Sequence, residues 1–251
     1  MSGLKAVGLS PELRTPTTMN RDTVLVIWNR YSHWHDIALQ VEKHGGRVWV
    51  AENGYIGKKG VAPKFDVHPA GPKPDSYYAI AEGYHNGGGT WSVGAEKRWP
   101  ALNVELQSWR KQGDHILVCP NRSFGIEGRA MHPDWAARCA ARLRAQTKRP
   151  VVIRSHPGND RPKRDLVVDL KNAWACVVWS SGAGVHSLIA GIPTFCEAPF
   201  WILKSAAATG SVDDPVVADR EAALERMCHA QWTCEEIARG EPFSRLLRPA
   251  G

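Results

Sequence analysis

The 251-residue chain has no cysteine pair at the CxxC spacing of zinc ribbons and thioredoxin-like redox motifs. Its 6 cysteines are scattered, and Cys119, Cys176 and Cys196 lie in apolar, strand-like runs. A thiol there packs as a small hydrophobe, so a reduced, cytoplasmic chain is expected. No apolar stretch approaches the ~18 residues of a membrane span, and none is expected. Residues 1–21 lack the apolar segment of a signal peptide and carry Pro11 and Pro16, which suggests a loose leader. The Walker A pattern is missing, which argues against a P-loop ATPase or kinase. Repeats and low-complexity tracts are absent too. Positive charge is not scarce: 32 Lys and Arg against 25 Asp and Glu leave +7. That balance suits an anionic partner without locating it.

What is present alternates. Thr23–Ile27 is a β-branched apolar run, as in a strand buried on both faces. His35–His44 has helical spacing and stops at Gly45-Gly46, and Arg47–Ala51 is again strand-like, completing a βαβ unit. Glu52–Asp75 reads as a long loop, Tyr77–Ala81 as a strand and Ala101–Lys111 as a helix. A second series follows. Strands are expected at His115–Cys119, Pro150–Arg154, Cys176–Trp179 and Pro193–Cys196, and helices at Asp134–Ala145, Asp165–Ala173 and Val185–Ala190. Closing helices fall at Asp219–Ala230 and Glu235–Arg239. The pattern predicts an α/β fold of two Rossmann-like parallel-sheet lobes facing across a cleft, 22–112 and 113–251, with the last helices able to pack back on the first lobe.

Open parallel sheets bind ligands at the carboxyl ends of their strands. Ser180-Ser181-Gly182-Ala183-Gly184 follows one strand and opens a helix, where N–H groups, hydroxyls and small residues admit an anion. The same residues would also make an ordinary N-cap. Arg154 and His156 follow the preceding strand, and a guanidinium and an imidazole suit phosphate oxygens. Adjacent strands would bring these two loops to one crevice. Asn121–Gly128, with Gly125 inside it, could wrap a diphosphate but lacks the GxGxxG spacing.

The segments HPGN and SSGAGVHSLIAGIPTF resemble the donor half of GT-B glycosyltransferases, especially the capsule-polysaccharide and sialyltransferase-like branches. WNRYSHWHDIALQVEKHGGRVWVAENGYIG, HNGGGTW and CHAQWTCEEIARGE resemble short phage proteins that glycosylate hydroxymethylated pyrimidines in DNA. The resemblance runs from Val24 to Gly240. It implies a compact GT-B fold and an inverting, metal-independent transferase using a nucleotide sugar, a UDP-sugar for preference, with no other cofactor. Arg154, His156, Ser180 and Ser181 would contact the donor phosphates, and Glu197 would contact the ribose or simply end a strand. The chain is shorter than typical GT-B enzymes.

An inverting transferase needs a base for the acceptor hydroxyl. Glu52, taken to follow the second strand, His85 and Asp36 are the candidates, with Glu82 behind them; Asp36 also suits a helix start. Asn29, Arg30, Tyr31 and His33 form a cationic, aromatic loop that suits base or sugar stacking, or a partly buried loop. Trp91 and Trp99 flank a glycine loop and could line an acceptor groove, with Asn86 of that loop a further acceptor candidate, whereas Trp28, Trp49 and Trp179 read as core. His33, His35 and His85 match no zinc spacing. The basic run from Arg138 to Arg164 is either a solvated face or a surface that steers DNA.

Overall fold

The computed structural model describes residues 1–58, 76–156 and 165–248. They form two compact units, one from 1–58, 76–103 and 225–248, the other from 104–156 and 165–224. The second unit therefore begins nearer Asn103 than Gln112, and the C-terminal segment belongs to the first.

In the first unit, β1 (Val24–Trp28), β2 (Arg47–Lys58), β3 (Ser76–Glu82) and β10 (Gln231–Thr233) form a sheet in the order β1-β2-β3-β10. Only β1 and β2 run parallel; β3 is antiparallel to both β2 and β10. Two of the three pairings in the sheet expected to be all parallel are thus antiparallel, because β3 alone runs against its neighbours. Helix α2 (His33–Lys43) covers one face, burying Ala38 and Val41 against Leu25, Ile27, Val48 and Val50. The other face carries Trp49, Ile80 and Trp232, packed by Phe243 and Leu246 of α8 (Glu241–Leu247). The rings of Trp49 and Phe243 stack at 5.4 Å.

Strand β1 is an edge, not a strand buried on both faces: Val26 and Trp28 are 38% and 48% exposed while Leu25 and Ile27 are buried. Trp28 instead meets the ring of Tyr78 edge-on at 6.0 Å. Strand β2 continues through Lys58, so the expected loop begins later and residues 59–75 of it lie outside the described residues. Within the presumed leader, Ser2–Ala6 forms α1, and Leu4, Val7 and Leu9 pack on the Trp49 cluster. A Cβ at Gly3 would stand 1.7 Å from the Ile237 carbonyl oxygen, so glycine allows this contact with α7 (Cys234–Ala238). A capping box between Thr233 and Glu236 starts α7, with the Glu236 carboxylate accepting from Thr233 N–H at 2.8 Å.

The second unit holds β4 (His115–Cys119), β5 (Val151–Ile153), β6 (Ala173–Val178) and β7 (Thr194–Cys196), all parallel, in the order β5-β4-β6-β7. Helices α3 (Trp135–Gln146), α4 (Leu166–Leu170) and α5 (Gly182–Ile189) connect these strands. Trp135, Cys139, Ala140 and Leu143 of α3 pack on Ile116, Val118, Ala175 and Val177. Cys119 and Cys176 are buried in the sheet and all six cysteines are thiols. The hairpin β8 (Thr209–Gly210) and β9 (Pro215–Val216) follows, and the boundary between units falls inside α6 (Arg220–Cys228).

The expected helix over Ala101–Lys111 is limited to a 3-10 turn, Trp99–Leu102. Beyond it the chain runs against the end of α5, with Gln107 N–H donating to the Ile189 carbonyl at 3.0 Å and Arg110 N–H to that of Gly191 at 2.7 Å. A Cβ at Gly191 (φ +73°) would lie 2.1 Å from the Ser108 carbonyl oxygen. These tertiary partners replace the bonds a helix would have made.

Candidate functional site

The strand order places a topological switch point between β4 and β6. The chain leaves β4 towards β5 and leaves β6 towards β7, so the crevice opens between the loops after β4 and β6. Asn121 and Ser180 meet there. The Asn121 Oδ1 accepts from Ser180 N–H at 3.1 Å, and its Nδ2 donates to Ser180 Oγ at 3.0 Å.

Arg122, next in the β4 loop, is exposed and contacts His156 Nδ1 through its Nε at 3.4 Å. Among the described residues it makes no ion pair with a carboxylate. The histidine and serine turns thus follow strands that are not neighbours, unlike the adjacent pair expected. Strand β4 lies between β5 and β6, so the two turns stand two strand spacings apart, roughly 10 Å. Asn121 and Arg122 bridge them. The sequence pointed to this loop through Gly125, which is exposed at φ +144°. The position immediately after a strand was the available signal for Asn121 and Arg122.

The other predicted residues of this unit have structural partners. Arg154, 13% exposed, donates to Asp169 of α4, itself 11% exposed. Glu197 accepts from Trp135 Nε1 at 2.8 Å and pairs with Arg142, tying α3 to the end of β7. Ser181 is the N-cap of α5, its Oγ accepting from Ala183 N–H at 3.3 Å. Gly182 is exposed, with nothing within 4 Å of where a Cβ would stand. Gly184 is needed for packing: its Cβ would be 2.7 Å from Trp201 Cζ2.

In the first unit, Glu52 lies within β2, opposite Ala79, rather than after the strand. Its carboxylate accepts from Asn53 N–H at 2.8 Å. Tyr55 is the residue given no role from sequence. Its buried hydroxyl accepts from Asn86 N–H at 3.1 Å. Burial, and to a lesser degree the Glu52 charge, push the Tyr55 phenol up, opposed by the Asn86 bond. Glu52, Tyr55 and Asn86 (φ +52°) thus form one cluster, with His85 preceding Asn86.

The loop after β1 is largely a brace. The Arg30 side chain is 1% exposed and donates twice to Glu42 at 2.6 Å and once to the Gly83 carbonyl at 2.8 Å. It also lies over the Tyr84 ring at 4.2 Å. Asn29 takes φ +59°, and its N–H donates to the Ala51 carbonyl at 3.0 Å. Tyr31 is 48% exposed. His33 and Asp36 are exposed in the first turn of α2. Trp91 is engaged, its Nε1 donating to the Arg226 carbonyl at 3.0 Å. Among the described residues no cluster of three His, Cys, Asp or Glu is placed to hold a metal, and no helix is long and apolar enough to cross a membrane.

Fold and site together define an α/β chain whose second unit gathers hydrogen-bond donors at a switch-point crevice. No protein-family model and no curated protein matches the sequence. Among solved structures, the beta Kdo 2,7 transferase KpsC of Thermosulfurimonas dismutans is similar at a TM-score of 0.45 and 12% identity, over 86% of this chain and 83% of that one.

Proposed function

We propose that the chain is a compact GT-B glycosyltransferase that moves a sugar from a nucleotide donor, a UDP-sugar, to a hydroxyl. The observation that carries this reading is the linked set Ser180–Asn121–Arg122–His156 at the switch point of a parallel sheet. A departing nucleoside diphosphate gains negative charge as its bond to the anomeric carbon breaks. Donors aimed at that charge lower the barrier without reorganising. Arg122 supplies a permanent cation, His156 a proton donor, and Ser180 a hydroxyl beside the N-terminus of α5. The acceptor oxygen attacks the anomeric carbon as a base removes its proton, and Glu52 is the proposed base.

The acceptor we propose is a 5-hydroxymethylpyrimidine of DNA, and this rests on the sequence resemblance alone. The arginines around α3 do not add to it. Arg138 pairs with Asp134, Arg142 with Glu197 and Arg149 with Asp213.

The test is to incubate the protein with sugar nucleotides and either hydroxymethylated DNA, unmodified DNA or a surface-glycan acceptor, then weigh the products. A hexose-sized gain confined to hydroxymethylated DNA supports the proposal. A gain confined to glycan moves the acceptor to surface polysaccharide, and no gain with any acceptor removes the enzyme reading. Glu52→Gln is expected to abolish transfer while leaving donor affinity unchanged; a wild-type rate would dismiss Glu52 as the base.

A further inference from the structure

We infer that Asn121 is a positioning residue that fixes the Ser180 hydroxyl as a donor to an anionic ligand; this rests on the nucleotide-donor reading above. The geometry leaves little choice of amide orientation. The Ser180 backbone N–H can only donate, so the atom 3.1 Å from it must be the Asn121 oxygen. A flipped amide would oppose two donors. The Nδ2 is then committed to Ser180 Oγ at 3.0 Å, and the hydroxyl receives a hydrogen bond from that side. Its own hydrogen must point away from Asn121. Both contacts come from one planar group at the crevice between β4 and β6, where a ligand of this sheet class binds.

Asparagine suits this task because it carries an acceptor and a donor on one carbon. An aspartate carries two acceptors. It would still take the Ser180 N–H but would draw the hydroxyl hydrogen to itself and add a negative charge. A protonated aspartic acid restores the original polarity, its carbonyl accepting and its O–H donating. Asn121→Asp therefore converts the contact into a pH-dependent one. Among the described residues, the charged and titratable groups on the surrounding elements include Arg122, Glu127 and Arg129 in the segment after β4, Arg154 and His156 after β5, and Asp169 on α4. His186 on α5 and Glu197 after β7 belong with them. A histidine ordinarily titrates between pH 5 and 8. The quantity to compare is thus the affinity of the variant relative to wild type at each pH.

The experiment measures uridine diphosphate and inorganic pyrophosphate binding by calorimetry from pH 8 to about pH 3.5, a range that crosses the ordinary aspartate value near 4, with circular dichroism monitoring the fold. The proteins are wild type, Asn121→Asp, Ser180→Ala and the double variant. At pH 8 Asn121→Asp should bind about tenfold more weakly than wild type, the scale of a lost hydrogen bond to a charged group. That ratio should shrink as the pH falls through the carboxyl range, in the same sample, which a misfolded protein would not do. On the Ser180→Ala background the substitution should add less than about threefold, since contacting residues couple. Wild-type affinity in Asn121→Asp at pH 8 overturns the inference. So does an undiminished penalty in the double variant, which would trace it to charge alone. If wild type binds neither ligand, the donor reading falls and this inference with it. If wild type binds and Asn121→Asp is indistinguishable from it, only this inference falls.

Discussion

Replacing Arg154 with alanine distinguishes a buried brace from a ligand group. The guanidinium and the Asp169 carboxylate are 13% and 11% exposed, so each helps compensate the other for lost water. Removing one partner of a buried pair leaves the other charge stranded, at a cost of about 3 kcal/mol. Removing both, as in Arg154→Ala/Asp169→Ala, relieves the stranded carboxylate and should cost less than the sum of the single changes. The Arg154 N–H bond to the Val118 carbonyl, at 2.9 Å, is unaffected by any of these changes. Urea unfolding of the wild type, both single variants and the double variant provides the numbers, with uridine diphosphate affinity measured alongside. The expected result is a large loss of stability in Arg154→Ala, partly recovered in the double variant. Affinity in the folded fraction should stay within about threefold of wild type, as no direct contact is removed. Unchanged stability with a tenfold or greater loss of affinity would refute the reasoning and make Arg154 a phosphate ligand.

Gly184→Ala should destabilise the second unit by about 1–3 kcal/mol, as overpacking does, because the new methyl meets Trp201 at 2.7 Å and Val178 at 3.2 Å. A melting temperature equal to wild type would show that Trp201 moves aside at no cost. His186 gives a pH signature. Burial of its ring lowers it to about 4 from the ordinary histidine value, and although part of the residue reaches the surface its Nδ1 is buried. The neutral form is the one favoured by folding, so its contribution is complete above pH 6.5 and is lost as pH falls from 6.5 towards 4. The full loss is no more than about 3 kcal/mol. His186→Gln should flatten that part of the stability profile, leaving the share of His229, which burial lowers in the same direction. A profile of unchanged slope would count against it.

The sequence alone determined the features whose causes are local. The β1–α2–β2 unit, α3 and the start of α5 at Ser181 follow from apolar spacing, a glycine stop and a capping hydroxyl, all set within a few residues. The rule that ligands gather at strand ends also drew attention to Ser180 and His156, which lie at the carboxyl end of one sheet. Tertiary structure alone decided which strand lies between them. The order β5-β4-β6-β7 depends on pairings far apart in the chain, and it made Asn121 and Arg122 the bridge. It also decided which charges are spent. Arg30 has Glu42 and a carbonyl 53 residues away, Arg154 has Asp169, and Glu197 has Arg142 and Trp135. A charged side chain at a strand end reads the same in a sequence whether a carboxylate folds back onto it or not. Only the fold brings that carboxylate within reach, and the loss of water on burial makes the pairing compulsory.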